Sequence, residues 1–235
     1  MRTLTATATF ALLLAACGSE PVETPATAPA PATDAGQRAA PPAQTPQTTP
    51  TPGEQGGVSD WRAVATATDA GALGRLDQAW RMARAEAEDR GFAAQVEALG
   101  PLVDPNAGQA GRLQPGPGAY RCRTIKLGAK GDGGLAYLEY PFFRCTVELT
   151  PGGDLILTKT TGSQRSRGLL YPDTDRRLIF LGAQAWGDEA TYPAYGAKSE
   201  RDQIGVFERI GSDRWRLVIP WPKQEAKLEI LELVK

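Results

Sequence analysis

The segment from Gly162 to Gly168 combines glycines, hydroxyl side chains and two arginines. Glycines leave room for an oxyanion, hydroxyls donate to it, and guanidinium groups suit phosphate or carboxylate. Arg165 and Arg167 therefore form a possible anion site. The same segment lies between two strand-like stretches, where alternating polar residues usually form a solvated face or a hairpin. This structural interpretation stays open beside the anion site.

Glu208 is the carboxylate whose surroundings the sequence describes best. It shares a strand face with Val206 and Ile210, so we expect it to be buried. A buried carboxylate is either paired with a cation, here an arginine such as Arg216, or has a pKa that is perturbed for chemistry. We expect the structural pair.

A long segment from Gln184 to Gln203 combines acidic and aromatic residues. Its carboxylates, among them Asp188 and Asp202, offer oxygen ligands to calcium, but their spacing fits no EF-hand loop, so no metal ligand is assigned. Long loops at the end of a barrel often carry binding residues. We predict a possible partner surface formed by three aromatic side chains: Trp186, Tyr192 and Tyr195.

The chain contains no histidine. This excludes Ser–His–Asp and Cys–His nucleophile systems and imidazole-ligated metal sites. Catalysis would have to use carboxylate pairs, lysine or an oxygen-ligated metal. We predict that the protein is not an enzyme, and we assign it no catalytic residue, no metal and no cofactor. A histidine-free enzyme that uses Glu208 or Asp202 is kept as an alternative.

The amino terminus carries a secretory signal. Arg2 precedes a short apolar run that ends in Leu14-Ala15-Ala16-Cys17, and this order of features is typical of signal peptides. The cysteine at its end resembles the lipobox of bacterial lipoproteins, which implies removal of residues 1–16 and diacylation of Cys17. A plain signal peptide is the alternative. The run is shorter than the roughly twenty residues that cross a bilayer.

The same resemblance implies an address. Gly18 follows the cysteine, where aspartate would favour retention in the inner membrane, so we expect the periplasmic face of the outer membrane. Residues 17–57 combine the lipidated cysteine with a stretch rich in Pro, Ala and Thr that has almost no large apolar residue. Such a composition is typical of a disordered tether.

Cys122 and Cys145 remain once Cys17 is assigned to lipid. Both lie in strand-like stretches, and an oxidising periplasm favours a disulfide between them. A redox pair would have the short Cys-X-X-Cys spacing, which these two cysteines do not have. We therefore predict a structural disulfide.

The domain begins near residue 58, and its first part, residues 58–117, is predicted to be helical. Its apolar residues recur at the three- and four-residue spacing of a buried helix stripe: Leu73, Leu76, Trp80, Ala83 and Ala87. We expect an N-cap at Thr68-Asp69, a left-handed C-cap at Gly91 and a shorter helix over residues 93–99. The stripe is expected to pack on the protein's own barrel, with a partner-binding face as the alternative.

From residue 118 to residue 235 the pattern changes to period two, which is typical of strands with one buried face. Short turns rich in Gly, Pro and Asp join the strands, so neighbours in sequence should pair antiparallel. The predicted fold class is α+β: N-terminal helices packed on an antiparallel, about eight-stranded, calycin-like meander β-barrel, with a partly open antiparallel sheet as the alternative. The predicted strands are residues 119–127, 142–149, 154–161, 164–171, 176–183, 204–210, 214–220 and 227–234. The predicted inward residues include Val147, Leu157, Phe180 and Trp215.

Five short motifs follow one another along this domain: Tyr120-Arg121-Cys122-Arg123, Gly162-Ser163-Gln164-Arg165, Phe180-Leu181-Gly182, Glu208-Arg209-Ile210-Gly211 and Arg214-Trp215-Arg216-Leu217. In this order they resemble an uncharacterised family of secreted alphaproteobacterial proteins, catalogued as domain of unknown function 4893. The resemblance covers roughly residues 61–235 and leaves out the tether. It implies a periplasmic domain with this boundary and assigns no activity or site residue.

Composition and charge leave a binding role as the best functional prediction. The formal net charge is −1, so we expect no nucleic-acid partner and no basic membrane patch. We predict a lipid-anchored, non-catalytic binding module that presents its barrel mouth or a loop to an envelope protein or a small ligand, with the outer membrane as partner through the anchor. A structural accessory factor of the envelope is the alternative. A periplasmic peptidase inhibitor is less favoured, although such inhibitors are also eight-stranded barrels with one disulfide.

Overall fold

The protein is described by a computed structural model that covers residues 60–235. Three predictions lie outside these described residues: the signal peptide over residues 1–16, the lipidation of Cys17 and the tether over residues 17–57. The predicted helices and strands lie within the described residues.

Within the described residues, three α-helices precede nine strands. The helices are α1 at Ala67–Leu73, α2 at Leu76–Ala87 and α3 at Ala93–Ala98, with short 3-10 turns at Trp61–Ala63 and Gly100–Val103. The strands are β1 Gly118–Ala129, β2 Tyr137–Glu139, β3 Phe143–Leu149, β4 Leu155–Lys159, β5 Gln164–Pro172, β6 Leu178–Trp186, β7 Asp202–Gly211, β8 Arg214–Pro220 and β9 Ala226–Val234.

Eight of these strands close into an antiparallel barrel. Strands β3 to β9 pair in chain order, β3 also pairs with β1, and β1 pairs with β9 to complete the ring. The extra strand β2 pairs with the second half of β1, beyond the part that pairs with β3. The predicted α+β barrel is confirmed, and the partly open sheet is not what forms. The prediction missed β2, because three residues are too few to show an alternating pattern.

The predicted inward residues Val147, Leu157, Phe180 and Trp215 all belong to the hydrophobic cluster inside the barrel. The predicted disulfide is also part of this cluster: Cys122 on β1 bridges to Cys145 on β3 with a Cα–Cα distance of 5.9 Å. It closes a sequence separation of 23 residues, for which the chain-entropy account gives a stabilisation of about 3 kcal/mol.

A close contact between β5 and β6 explains one glycine of the barrel wall. A Cβ atom on Gly168 would lie 2.3 Å from the carbonyl oxygen of Leu181 and 2.6 Å from the Cα atom of Gly182. Paired glycines therefore let the two strands meet where Phe180 fills the interior.

The helices wrap the outside of the barrel, and one predicted boundary is wrong. The sequence predicted one uninterrupted helix with its N-cap at Thr68-Asp69. In the structure the N-cap of α1 is Thr66, whose Oγ1 accepts a hydrogen bond from the Asp69 amide at 3.2 Å. The chain then breaks at Gly74 before α2 begins. The break lets Leu73 pack on β6 and β7 while Trp80 packs on β1 and β9, so the two helices follow the curved barrel. The left-handed cap at Gly91 is confirmed, with φ of 90°.

Arg216 fastens the segment after α3 to the barrel wall. Its guanidinium is fully buried and bonds the Glu208 carboxylate at 2.6 Å, so the expected pair forms. Glu208 itself is half-buried and not buried as expected, because this face of β7 lies on the outer wall of the barrel. Arg216 also donates to the carbonyl oxygens of Pro101, Leu102 and Asp104 at 2.7–3.0 Å. A buried charge with this many partners is a structural group.

Candidate functional site

The barrel interior is apolar at one end and polar at the other. On β1, β4 and β9 the side chains that point into the barrel are apolar toward one end of the barrel. Toward the other end they are Lys126, Lys159 and Glu229, one on each strand. Lys126 lies directly opposite Glu229 in the pairing of β1 with β9. We name this end the polar mouth and define it by six residues: Thr124, Lys126, Lys159, Gln164, Glu225 and Glu229.

A cavity of about 110 Å³ lies at the polar mouth. The rings of Tyr140 and Phe143 form an apolar part of its wall, and Ser163 and Glu225 are exposed residues at its rim. The opposite end of the interior is filled by Leu113, whose carbonyl oxygen accepts a hydrogen bond from Trp215 Nε1 at 2.8 Å. A second cavity of about 200 Å³ lies outside Leu113 against Tyr120 and Trp215, but the buried lysines and carboxyl of the interior lie at the polar mouth.

Lys126 is held by other residues of the polar mouth. Its ammonium donates to Gln164 Oε1 at 2.7 Å and forms an ion pair with Glu225, and Gln164 in turn donates to Glu225 at 3.3 Å. Burial works to lower the pKa of Lys126, but the carboxylates of Glu229 and Glu225 outweigh it, so the pKa is raised. Lys126 is therefore a charged and fully engaged group.

Lys159 is the less engaged of the two amines. It is 5 % exposed, its ammonium donates to the carbonyl oxygen of Gln164 at 2.7 Å, and it lies 4.0 Å from the centre of the Phe143 ring. Among the described residues, no carboxylate forms an ion pair with it. Burial, together with the neighbouring charges of Lys126 and Arg165, lowers the pKa of Lys159 to about 8, although Glu229 works in the opposite direction.

Glu229 is a buried carboxyl that faces the same cavity. It is 6 % exposed, and its Oε2 lies 3.8 Å from the Lys126 ammonium, which is an ion pair without hydrogen-bond contact. No described residue donates a hydrogen bond to it. Burial raises the pKa of Glu229 despite the two lysines that favour its charged form. A protonated Glu229 would offer an O–H donor to the cavity.

This arrangement can bind a polar group or move a proton. Lys159 has N–H donors left after its single hydrogen bond, and Glu229 has two oxygens without donors. The two groups have pKa values that are shifted toward each other, which is the usual sign of a functional site when the residues also line a cavity.

The predicted anion site at Arg165 and Arg167 has its donors directed to the protein itself. Arg165 donates to the carbonyl oxygens of Gly162, Gly187 and Glu189. Arg167 donates to Thr158 at 3.0 Å and to Glu148 at 3.4 Å. These contacts fasten the turn and the long loop to the barrel, so we place the candidate site at Lys159 and not at the two arginines.

The aromatic residues of the predicted partner surface are half-buried and bonded to the barrel or the helices. Trp186 donates to Gln184 at 2.9 Å, and the Tyr192 hydroxyl donates to the carbonyl oxygen of Lys159 at 2.8 Å. Tyr195 donates to Asp69 at 2.7 Å. The loop has a structural role in these contacts, and a partner bound there stays a prediction.

The remaining acidic candidates lie away from the polar mouth. Glu208 is on the outer wall with Arg216, and Asp202 is a buried carboxylate that accepts a hydrogen bond from the Gly196 amide at 2.9 Å. Burial raises the pKa of Asp202. Within residues 60–235, no group of three or more Cys, Asp or Glu side chains is arranged to hold a metal ion.

Sequence reasoning missed the three central residues of the site. The signal was nevertheless present: Lys159 is in phase with Leu155 and Leu157, and Glu229 is in phase with Leu231 on a buried strand face. A charged residue at an inward position of an alternating strand is a candidate for a buried functional group.

Residues 61–233 match the family described as a domain of unknown function (DUF4893). The chain belongs to this uncharacterised family, as its motifs had indicated. The comparisons with curated proteins and with solved structures gave no match. Among the helices of residues 60–235, none has the length and apolar character that a membrane span requires.

Proposed function

We propose that the protein is a non-catalytic binding module that takes a small polar ligand, or the polar end of a larger one, into the polar mouth of its barrel. The observation that carries this proposal is the pair of buried groups, Lys159 and Glu229, that line one cavity with hydrogen-bonding capacity left over. Burying such groups without full compensation costs stability. A bound ligand that pairs with them recovers this cost.

We also propose that the domain is presented from a lipid anchor in the bacterial envelope. The support is the sequence of the amino terminus: Leu14-Ala15-Ala16-Cys17 ends an apolar run, and a Pro-rich stretch separates it from the domain. The resemblance to secreted alphaproteobacterial proteins agrees with this address. A long tether would let the barrel reach ligands away from the membrane surface.

A ligand that co-purifies with the protein tests the binding role. The full chain is isolated from its own membrane and analysed by native mass spectrometry, beside the variants Lys159→Met and Lys198→Met. Both variants remove one lysine charge, but Lys198 is exposed and is not among the residues that line the cavity. We expect a bound small molecule on the native protein and on Lys198→Met, and its loss from Lys159→Met. Equal retention by both variants would place the ligand elsewhere.

One observation favours a second candidate function. With its pKa lowered to about 8, Lys159 is partly neutral near neutral pH and is able to act as a base or nucleophile. The co-purified molecule is incubated with fresh protein. A histidine-free enzyme would convert the molecule to a product, whereas a binding module would leave it chemically unchanged. Mass spectrometry of the released molecule separates the two.

A further inference from the structure

We infer that the group bound in the polar mouth is a carboxylate, seated between the Lys159 ammonium and the Glu229 carboxyl. The inference rests on the proposed binding function and specifies its ligand class. Both residues line the cavity, and neither is saturated by the described protein. The chemistry of these two groups decides which ligand fits them.

Charge is the first argument. Lys126 is neutralised by Glu225, and the Arg165 guanidinium is occupied by backbone carbonyl oxygens. Lys159 is left as a buried cation without an ion pair among the described residues. Lys126 and Arg165 both add positive potential to it, and Glu229 offsets this potential only while its carboxyl is ionised. A ligand with negative charge relieves this repulsion, whereas an ammonium ligand would increase it.

Hydrogen bonding is the second argument. Glu229 receives no hydrogen bond from a described residue, and burial favours its protonated form. A ligand carboxylate can accept from the Lys159 ammonium and share one proton with the Glu229 carboxyl. Two carboxyl groups and one proton carry a single negative charge, which the Lys159 ammonium balances. Binding to an ionised Glu229 therefore takes up a proton from solution.

Size is the third argument. The cavity of about 110 Å³ is smaller than the roughly 150 Å³ cavity that accommodates benzene. It holds a carboxylate and a few further atoms, with the Tyr140 and Phe143 rings beside the apolar part. A longer ligand would extend past the exposed rim at Ser163 and Glu225. A phosphate dianion would bring a second negative charge, for which the site offers no second free cation among the described residues.

Calorimetry on the full chain tests the inference with acetate as the probe, and with acetamide, methylammonium and inorganic phosphate as matched probes. We expect acetate alone to bind measurably, with affinity falling by up to about tenfold per pH unit once the pH exceeds the raised pKa of Glu229, because one proton is then taken up. A further fall is expected above about pH 8, where Lys159 loses its charge. Titrations in two buffers of different ionisation heat report that proton directly. The groups that face the bound carboxylate and set this dependence are Lys126, Lys159, Arg165, Glu225 and Glu229.

Two substitutions and a control make the test specific. Glu229→Gln places an amide N–H where the shared proton was, so acetate binding should persist without proton uptake at pH values where Lys159 is charged. The pH dependence that remains should be that of the Lys159 ammonium alone. Lys159→Met should abolish acetate binding, and Lys198→Met should leave it unchanged. If Lys159→Met does not fold, proton uptake at pH values where Lys159 is fully charged decides alone. The native protein should show it and Glu229→Gln should not, whereas a merely structural Glu229 would leave the two proteins alike.

Contrary results are distinguishable. Acetamide, methylammonium or phosphate binding as well as acetate would overturn the carboxylate assignment, as would an unchanged pH profile in Glu229→Gln. If a molecule co-purifies through Lys159 but acetate neither binds nor displaces it, the ligand class is wrong and the binding function stands. If acetate does not bind and no molecule depends on Lys159, both proposals fail.

Discussion

The lowered pKa of Lys159 can be measured directly. With a pKa of about 8, roughly 10 % of this amine is neutral at pH 7, whereas a lysine at the ordinary value of 10.5 is neutral in only about 0.03 % of molecules. Competitive labelling with trace acetic anhydride, read by mass spectrometry of the peptides across a pH series, gives the midpoint for each lysine. We expect a midpoint near 8 for Lys159.

Two neighbouring substitutions should move this midpoint in opposite directions. Burial is the largest cause of the shift, and among the charges Glu229 raises the pKa of Lys159 while Lys126 lowers it. Glu229→Gln should therefore lower the midpoint further wherever Glu229 is ionised, and Lys126→Met should raise it. A midpoint above about 10 in the native protein, or shifts in the same direction in both variants, would refute this account of the polar mouth.

The lowered pKa of Lys159 also changes how the stability of the protein depends on pH. In the unfolded chain Lys159 regains its ordinary pKa of 10.5, so between about pH 8 and 10.5 the unfolded chain binds a proton that the folded protein has released. The free energy of unfolding therefore rises with pH in this window. Lys159→Met should remove that rise and should stabilise the protein at neutral pH, by about 1–3 kcal/mol after allowance for solvent at the cavity. Urea unfolding at several pH values measures both effects.

Four further outcomes are expected. Cys17→Ala should lose incorporation of labelled palmitate, and label that survives the substitution would remove the lipid assignment. Reduction of the Cys122–Cys145 disulfide should lower the melting temperature by several degrees, since about 3 kcal/mol of stabilisation is lost; an unchanged melting temperature would contradict this. Arg216→Met should cost about 2–4 kcal/mol in urea unfolding, because Glu208, which is only half-buried, loses its partner and the backbone carbonyl oxygens after α3 lose their donor; a loss below 1 kcal/mol would be inconsistent with that role. Tyr195→Phe should cost about 1–2 kcal/mol, because the hydroxyl donates to Asp69 and accepts from the Thr66 amide; unchanged stability together with lost partner capture would instead support the predicted partner surface.

The barrel could be predicted because its interior strands alternate over enough residues. β3 shows this best: Phe143, Cys145 and Val147 point inward between the more exposed Arg144 and Thr146. Antiparallel pairing followed from the short turns, and closure followed from the number of strands. The break between α1 and α2 could not be predicted in the same way, because the apolar stripe continues through Gly74 at helical spacing. It is the curvature of the barrel, a tertiary feature, that separates Leu73 from Trp80.

The site was harder to predict because its residues are far apart in sequence. Lys126 and Glu229 become neighbours only when β1 pairs with β9, and this pairing exists only in the closed barrel. The sequence drew attention to Arg165 and Arg167 because their types suit anions. In the structure, backbone carbonyl oxygens of the nearby turns accept hydrogen bonds from Arg165, a feature that residue type alone does not show. An anion bound by the two arginines stays a prediction.

Two buried cations in the same domain show how a structural group and a functional one differ. Arg216 is fully buried, and its guanidinium is paired with Glu208 and with several backbone carbonyl oxygens. Lys159 is buried almost as deeply, yet it has one hydrogen bond and no ion pair among the described residues. In the first arrangement, contacts within the protein offset the desolvation free energy of the buried charge. The second arrangement leaves part of that cost to the Phe143 ring, to the charge of Glu229 and to solvent in the cavity, and this incomplete compensation is the reason why we propose ligand recognition at Lys159 rather than at Arg216.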